Sequence, residues 1–230
     1  TTEIYTLSLH DALPILQEEI EAIDIDFLVS DLPKLMKSMM VGADRIREIV
    51  QSLRTFSRLD EAEMKTVDIH DGIESTLMIL QHRLKGKHEH HGIEVIKQYE
   101  NLPEVVCFAG QLNQVFMNLL ANAIDVLEES MIDCQYSADN HHVIKKPQIR
   151  IVTTIDKHHI MVKIADNGKG MPESVQHEIF QPFFTTKPEG KGTGLGLSIS
   201  HQIITENHGG NLQCISCSGK GTEFLIQIPL

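Results

Sequence analysis

The sequence has few cysteines, few basic residues and no long apolar segment, and each shortage excludes a class of protein. The four cysteines, Cys107, Cys134, Cys214 and Cys217, are too few and too scattered for a disulfide framework in 230 residues. There are 32 acidic and 20 basic residues, and the formal net charge of -12 disfavours binding to nucleic acid or to an anionic membrane surface. No apolar run reaches the roughly 18 residues of a membrane span, so we expect no membrane segment in this chain.

The cysteines Cys214 and Cys217 have the C-x-x-C spacing of redox and zinc sites. They fall in a segment that reads as a strand, where positions i and i+3 point to opposite faces. We therefore favour reduced cysteines in a cytoplasmic protein over a redox or zinc role. The sequence does not begin with Met, so we expect a fragment, and the full-length protein is compatible with membrane association.

A heptad spacing marks the first helical segment. Leu32, Met39, Ile46 and Leu53 recur every seven residues, which predicts an amphipathic helix with one apolar stripe. Such a stripe needs a partner. A homodimeric four-helix bundle formed through the Leu32–Leu59 helix is favoured over packing of the helix on its own domain.

Changes in the residue pattern along the sequence divide the chain into three parts. Residues 1–30 form a poorly defined N-terminal segment that is foreign or truncated, residues 31–65 carry the helical segment, and residues 66–230 form a second domain. The charged run Asp60–Lys65 is interpreted as a hinge. In the second domain amphipathic helices alternate with half-buried strands, which predicts an α+β fold: a two-layer α/β sandwich with a mixed sheet covered by helices on one face. The histidines between Lys85 and Gly92 favour a solvated loop over a metal site.

Two motifs of the second domain predict polar groups for a ligand. Asn118 and Asn122 lie one turn apart on a predicted helix over Gln111–Leu127, where their amide oxygens can hold Mg²⁺ together with phosphate oxygens. The alternative is a pair of polar residues on a solvent face. Asp166 follows a strand and precedes Gly168, and its carboxylate can accept a hydrogen bond from an amine such as that of adenine. An ordinary turn is the alternative there.

Two further motifs predict a lid and an anion site. In the segment Phe183–Lys187, the two aromatic residues can anchor a mobile loop and Lys187 can reach a phosphate. The glycine-rich segment Gly190–Leu197 leads directly into a helix, where backbone N–H groups and the helix dipole attract anions. Its spacing is neither that of a P-loop nor that of a dinucleotide fingerprint.

In this order and spacing, the motifs resemble the ATP-binding domain of sensor histidine kinases, with an asparagine box, two glycine boxes and a phenylalanine box between them. The segment Gly219–Thr222 resembles the final glycine box of that family, and Arg54–Leu59 resembles part of the second helix of its dimerisation and phosphotransfer domain. The resemblance covers about Asp31–Leu230. It implies a partial dimerisation and phosphotransfer segment over 31–65 and a catalytic domain over 66–230.

The resemblance implies a protein-histidine kinase of a two-component system. Such a kinase transfers the γ-phosphoryl group of ATP to a histidine and then to an aspartate on a response-regulator receiver domain. The implied cofactors are ATP and Mg²⁺, with Asn122 as the principal metal ligand, Asn118 in support and Asp166 at the adenine. The residues implied in ATP binding are Asn118, Asn122, Asp125, Asp166, Gly168, Gly170, Phe184, Thr185, Thr186, Lys187, Lys191, Gly192, Thr193, Gly194, Leu195, Gly196 and Thr222.

Two positions depart from the family pattern. The nearest match to the phosphoacceptor is His10, where the proline follows four positions later instead of five; we favour an acceptor upstream of this chain and keep His10 as the alternative. Asp125 stands where many members carry a basic residue. Related hydrolases resemble one another in a glutamate at the position of Asn118, so its absence favours transfer over hydrolysis. The alternative function is an ATP-binding fragment or adaptor of the gyrase, heat-shock chaperone and mismatch-repair ATPase superfamily, without autokinase activity.

Overall fold

The structure, a computed structural model, describes residues 29–40, 42–43, 63–85, 92–136, 146–188 and 192–230. The first two ranges are helical (α1) and belong to one compact unit, and all described residues from Glu63 onward belong to a second. On α1 the predicted apolar positions carry exposed side chains, with Leu32 57% and Met39 68% accessible. The predicted stripe continues at Ile46 and Leu53, which lie outside the described residues.

The second unit contains two sheets and a helical layer. Its elements are β1 (Lys65–Val67), α2 (Ile69–Ile79), α3 (Gln81–Leu84), β2 (Glu94–Tyr99), β3 (Val105–Cys107), α4 (Ala109–Tyr136), β4 (Gln148–Asp156), β5 (His159–Asp166), α5 (Glu173–Gln176), α6 (Gly196–Gln202), a π-helical turn (Ile203–Asn207), β6 (Asn211–Cys217) and β7 (Gly221–Pro229). None of the helices in the described ranges combines the length and apolar character that a membrane span requires.

The large sheet is mixed, with the strand order β2-β4-β5-β7-β6. β2 runs parallel to β4, because the chain passes through β3 and α4 between them, and the other pairs are antiparallel. Alternate residues of the strands, such as Ile151, Val162 and Ile226, are fully buried beneath the helices. This confirms the predicted α+β fold, with a mixed sheet covered by helices on one face.

Helix α4 fills the centre of the core. Its stripe, including Val115, Leu119 and Ile124, is completely buried, and α2 and α6 pack beside it. The prediction that this helix ends at Leu127 is wrong, because α4 continues to Tyr136. Leu127 is itself buried and no glycine or proline follows within the helix, so nothing local stops it.

A small second sheet corrects the interpretation of Lys65 as part of a charged hinge. Lys65 begins β1, which pairs antiparallel with β3 in the register Lys65↔Cys107 and Val67↔Val105. The next helix begins directly after it, because the Asp68 side chain caps α2 by accepting a hydrogen bond from the His70 N–H at 2.8 Å. The three residues of β1 give too short an alternation for a sequence pattern to reveal.

The C-x-x-C pair lies on β6, as predicted, and both thiols are free. Cys214 is half-buried and Cys217 is exposed. Burial, with the nearby Asp166 charge, raises the pKa of Cys214 to about 12. A thiol that stays protonated at neutral pH is a poor nucleophile and metal ligand.

His208 joins the end of the π-helical turn to the start of α4. Its Nδ1–H donates to the Ile203 carbonyl at 2.8 Å, and its Nε2 accepts from the Phe108 N–H at 3.1 Å. The ring is buried and packs edge-on against Phe108. Both nitrogens are satisfied only when the imidazole is neutral, and burial lowers the pKa of His208 although the Ile203 bond opposes the shift.

We expect His208 to make the fold less stable in mild acid. The pKa of His208 in the folded state lies below the unfolded value of about 6.5. Just below pH 6.5 the unfolded chain therefore binds a proton at His208, whereas His208 of the folded chain stays neutral. The free energy of unfolding then falls by up to about 1.4 kcal/mol per pH unit until the folded pKa is passed. Urea unfolding between pH 7.5 and 5 should show a steeper pH dependence for the wild type than for His208→Gln. Equal slopes would contradict this role.

Candidate functional site

A cavity of about 650 Å³ opens between α4 and the loops at one end of the sheet. The sequence-predicted residues that line it are Asn118, Asn122, Asp166, Gly170, Phe184, Thr185, Thr186, Lys187, Gly192, Thr193, Gly194, Gly196 and Thr222. Three predicted residues, Asp125, Gly168 and Leu195, are not part of the lining. Lys191 and His10 lie outside the described residues. Segments far apart in the chain therefore meet at one cavity.

Asn118 is held in place by the helix that follows the glycine-rich segment. Its Nδ2 donates to the Gly196 carbonyl at 3.0 Å and to the Ser200 hydroxyl at 3.1 Å. Ser200 is fully buried and also donates to the Gly196 carbonyl at 2.7 Å. These bonds fix the amide plane of Asn118 and leave its oxygen for other partners.

Asn122 lies one turn further along α4, beside the lid lysine. Lys187 Nζ stands 3.4 Å from Asn122 Oδ1 and forms a short ion pair with Asp125 Oδ2. Lys187 lines the cavity, whereas Asp125 does not. The lysine predicted to reach a phosphate is thus paired with a carboxylate on α4.

Asp125 also pairs with a cation on its other side. Arg83 Nη2 contacts Asp125 Oδ1 and Glu128 Oε2, each at 2.5 Å. Burial acts to lower the pKa of Arg83, but the hydrogen bonds with Glu128 and Asp125 outweigh it and raise the pKa above the ordinary value. Asp125 is therefore a carboxylate shared between two cations.

Asp166 ends β5 opposite Thr222, at the other side of the cavity. Its Oδ1 accepts the Gly168 N–H at 2.8 Å, which turns the chain away from the strand. Burial raises the pKa of the Asp166 carboxyl, while backbone hydrogen bonds from Gly168 and Thr222 act in the opposite direction. The group is a half-buried acceptor held by backbone donors.

The lid segments cross at Phe183 and Gly194. Both have left-handed backbones, with φ of 67° in each, and a Cβ on Gly194 would stand 2.4 Å from the Phe183 carbonyl carbon. Only glycine permits this approach. It turns Phe184 into the cavity and leaves Phe183 74% accessible.

Sequence reasoning missed part of the cavity wall. Glu129 and Lys169 line the cavity and form an ion pair at 2.7 Å from α4 to the loop after β5. Met171 also lines it, and its N–H donates to Ser216 Oγ, while Gln176 bonds both the N–H and the carbonyl of Ser216. Glu129 was not predicted because the predicted helix ended two residues before it. Gln176 was not predicted because it belongs to no motif in the sequence.

The amide oxygen of Asn122 on α4 could serve as one ligand of a divalent cation whose other ligands are phosphate oxygens and water. In the part of the chain that the structure describes, no group of three or more His, Cys, Asp or Glu side chains could hold a metal ion. Asn122 Oδ1 already faces a positive charge, that of Lys187. A single amide oxygen, completed by phosphate oxygens and water, suits Mg²⁺.

Comparison with known proteins identifies the family. The family described as "Histidine kinase-, DNA gyrase B-, and HSP90-like ATPase" matches residues 109–230, which is more than half of the chain, and the chain belongs to it. This match covers α4, the glycine-rich segments and the last strand, so it includes every cavity-lining residue. The predicted resemblance to histidine kinases of this ATPase type is confirmed.

Sensor kinases are among the similar proteins. The chain is 35% identical to the sensor kinase CckA of Brucella abortus over 82% of its own length and 19% of the relative's. It is 33% identical to the two-component sensor PprA of Pseudomonas aeruginosa, over 90% of this chain and 21% of that protein. The chain thus spans about a fifth of the length of these relatives.

A solved structure shares the fold. The catalytic domain of the histidine kinase ThkA, in a nucleotide-free form, matches with a TM-score of 0.58 and 26% identity, over 73% of this chain and 95% of that domain. Since that domain is covered almost completely, the second unit has the architecture of a histidine kinase catalytic domain.

Proposed function

We propose that this chain is the catalytic part of a sensor histidine kinase, which binds Mg·ATP in the cavity and donates the γ-phosphoryl group to a histidine. The observation that carries the proposal is the convergence of Asn118 and Asn122, Asp166 and the glycine-rich lid on one cavity of about 650 Å³. Such a volume suits a nucleotide. The sensor kinases among the similar proteins support the same function.

The cavity offers a different group to each end of the nucleotide. Asp166 would accept a hydrogen bond from the exocyclic amine of adenine, and Thr222 lies beside it on β7. Asn122, with Asn118 in support, would hold the Mg²⁺, whose charge neutralises the phosphates. Lys187 would exchange Asp125 for a phosphate oxygen, and Thr185, Thr186 and the glycines would exclude water.

In the transfer, a bond forms between the γ-phosphorus and an imidazole nitrogen of the acceptor while the bond to the β,γ-bridging oxygen breaks and ADP leaves. The phosphoryl group then passes to an aspartate of a response-regulator receiver domain. The chain's part is positioning and charge neutralisation. Asn118, whose amide is bonded to Gly196 and Ser200, cannot act as the general base that hydrolysis of ATP needs.

We also propose that the chain dimerises through the Leu32–Leu59 helix. What supports this is the exposure of Leu32, Leu35, Met36 and Met39 on α1, an apolar surface that a second copy could cover.

The proposal is tested by incubating the chain with Mg²⁺ and γ-labelled ATP, after AMPPNP binding has been measured by calorimetry. We expect binding, which needs only the cavity. Label that is acid-labile and alkali-stable, and absent from His10→Ala, would make His10 the acceptor. Binding without label would mean a catalytic domain that needs an acceptor helix, and this helix would be added as a separate peptide. Absence of both AMPPNP binding and label would refute the proposed function.

A further inference from the structure

A chain of ion pairs leads from outside the cavity to its lid. It begins at Glu128 and Arg83, continues through Asp125 and ends at Lys187, which also approaches Asn122 Oδ1 at 3.4 Å. We name this set the Arg83 relay. It connects three elements: α3 contributes Arg83, α4 contributes the carboxylates and Asn122, and the lid contributes Lys187.

Three of the four charged members of the relay are more shielded from solvent than an ordinary surface pair, and the fourth, Glu128, is 40% accessible. The side chains of Arg83, Asp125 and Lys187 are 25%, 28% and 27% accessible, whereas those of the surface pair Lys97–Glu74 are 40% and 44% accessible. Partly buried charges interact more strongly than exposed ones, because water screens them less. Removing the charge of Arg83 should therefore change the strength of the ion pair between Asp125 and Lys187.

From this geometry we propose that Arg83 is a positioning residue for the phosphate end of the nucleotide, acting through Asp125 on Lys187. Arg83 itself does not line the cavity. A carboxylate shared by two cations holds each of them less tightly than a carboxylate with one partner. Arg83 thus lowers the cost of moving Lys187 from Asp125 to a phosphate, and it neutralises the negative charge of Asp125 next to the bound anion.

The inference rests on the proposed nucleotide site and specifies which ligands should respond. Lys187 and Asp125 adjoin Asn122, the implied metal and phosphate position, whereas Asp166 lies across the cavity at the implied adenine position. The relay should therefore affect AMPPNP, which carries three phosphate groups, and leave adenosine unaffected. Loss of Arg83 would leave Asp125 with Lys187 as its remaining partner in the relay.

The test compares the affinities for Mg·AMPPNP and adenosine in the wild type, Arg83→Gln, Asp125→Asn and the double variant. We expect Arg83→Gln to weaken AMPPNP binding about tenfold, with adenosine binding changed less than about twofold. In the Asp125→Asn background, which has no carboxylate to compensate, Arg83→Gln should change AMPPNP affinity by less than about twofold. This dependence on Asp125 is what a merely structural arginine would not show.

Two variants serve as controls. Glu128→Gln removes the other carboxylate that Arg83 contacts and leaves Arg83 with Asp125, so AMPPNP affinity should not fall below that of the wild type. Arg83→Lys keeps the positive charge and should lose less affinity for AMPPNP than Arg83→Gln does. If Arg83→Gln does not fold, this smaller loss in Arg83→Lys, and its disappearance in the Asp125→Asn background, carry the same test.

The outcomes separate the two proposals. A wild type that binds no AMPPNP refutes the nucleotide site itself. If the wild type binds AMPPNP, two results would overturn the relay and leave the site intact. In one, Arg83→Gln lowers the affinities for AMPPNP and adenosine equally; in the other, Arg83→Gln lowers AMPPNP affinity just as strongly in the Asp125→Asn background.

Discussion

Replacing Asp166 by alanine is expected to weaken the binding of Mg·AMPPNP by about ten- to a hundredfold, because a hydrogen bond between the adenine amine and a charged acceptor contributes about 1.5–3 kcal/mol. Asp166 lines the cavity and is half-buried, so water competes with a ligand less there than at an exposed carboxylate. Isothermal calorimetry at constant Mg²⁺ measures the change.

A matched control and a second nucleotide separate recognition from stability. Asp156→Ala changes the same residue type at the far end of the β4–β5 hairpin, where Asp156 pairs with His159, and should leave affinity unchanged. Guanine carries a carbonyl where adenine carries its amine, so Asp166→Asn, whose amide can donate, should reduce the preference for ATP over GTP. Normal AMPPNP affinity in Asp166→Ala would refute the assignment of the adenine end.

The main elements of the second unit could be predicted because each carries a local pattern. The buried stripe of α4 and the alternation of β4 and β5 reflect burial on one face. Helix α4 begins close to its expected start but continues to Tyr136, well past its expected end at Leu127. The cavity-lining residues could be named for a different reason. Asn122, Asp166 and the glycine-rich segment form a recognisable set only when their order is considered, since each motif alone also occurs as an ordinary turn or helix face.

The features that escaped depend on contacts between distant segments. Arg83 follows α2 by a few residues and has no motif around it, so its pairing with Asp125 follows from the packing of the helices, not from spacing. Asp125 appeared as a departure from the family pattern; in the structure its partners are cations on both sides. Gln176 similarly acquires its role only when α5 reaches the edge strand β6 at Ser216.

The glycines near Asp166, at the proposed adenine end of the cavity, show the same dependence on distant contacts. A Cβ on Gly170 would stand 2.1 Å from the Cys217 carbonyl oxygen, and one on Gly221 would stand 2.0 Å from the Asp166 carbonyl oxygen. The loop after β5 and the β6–β7 hairpin thus pack backbone against backbone. The Gly219 N–H adds a hydrogen bond to the Lys169 carbonyl at 2.7 Å. The sequence marks these residues as glycine but does not reveal what they contact.

Replacing Gly221 by alanine is expected to lower the free energy of unfolding by about 3 kcal/mol or more, because it adds a backbone clash to the strain of a left-handed residue. Gly221 has φ of 96°, and the added Cβ would clash with the carbonyl oxygen of Asp166. Asp166 belongs to the central strand β5, so moving this carbonyl away would disturb the hydrogen bonds of the sheet. Chemical unfolding at pH 7.5 measures the loss.

Gly219→Ala is the matched control, since Gly219 lies in the same hairpin turn with φ of 78° but nothing lies within 4 Å of its added Cβ. Its free energy of unfolding should fall by only about 1–2 kcal/mol, which is the cost of holding alanine in a left-handed backbone conformation. Equal losses in the two variants would show that the clash is relieved by a small shift. A larger loss in Gly221→Ala, together with weakened AMPPNP binding in whatever fraction remains folded, would mean that the contact between Gly221 and Asp166 holds the adenine end of the cavity in shape.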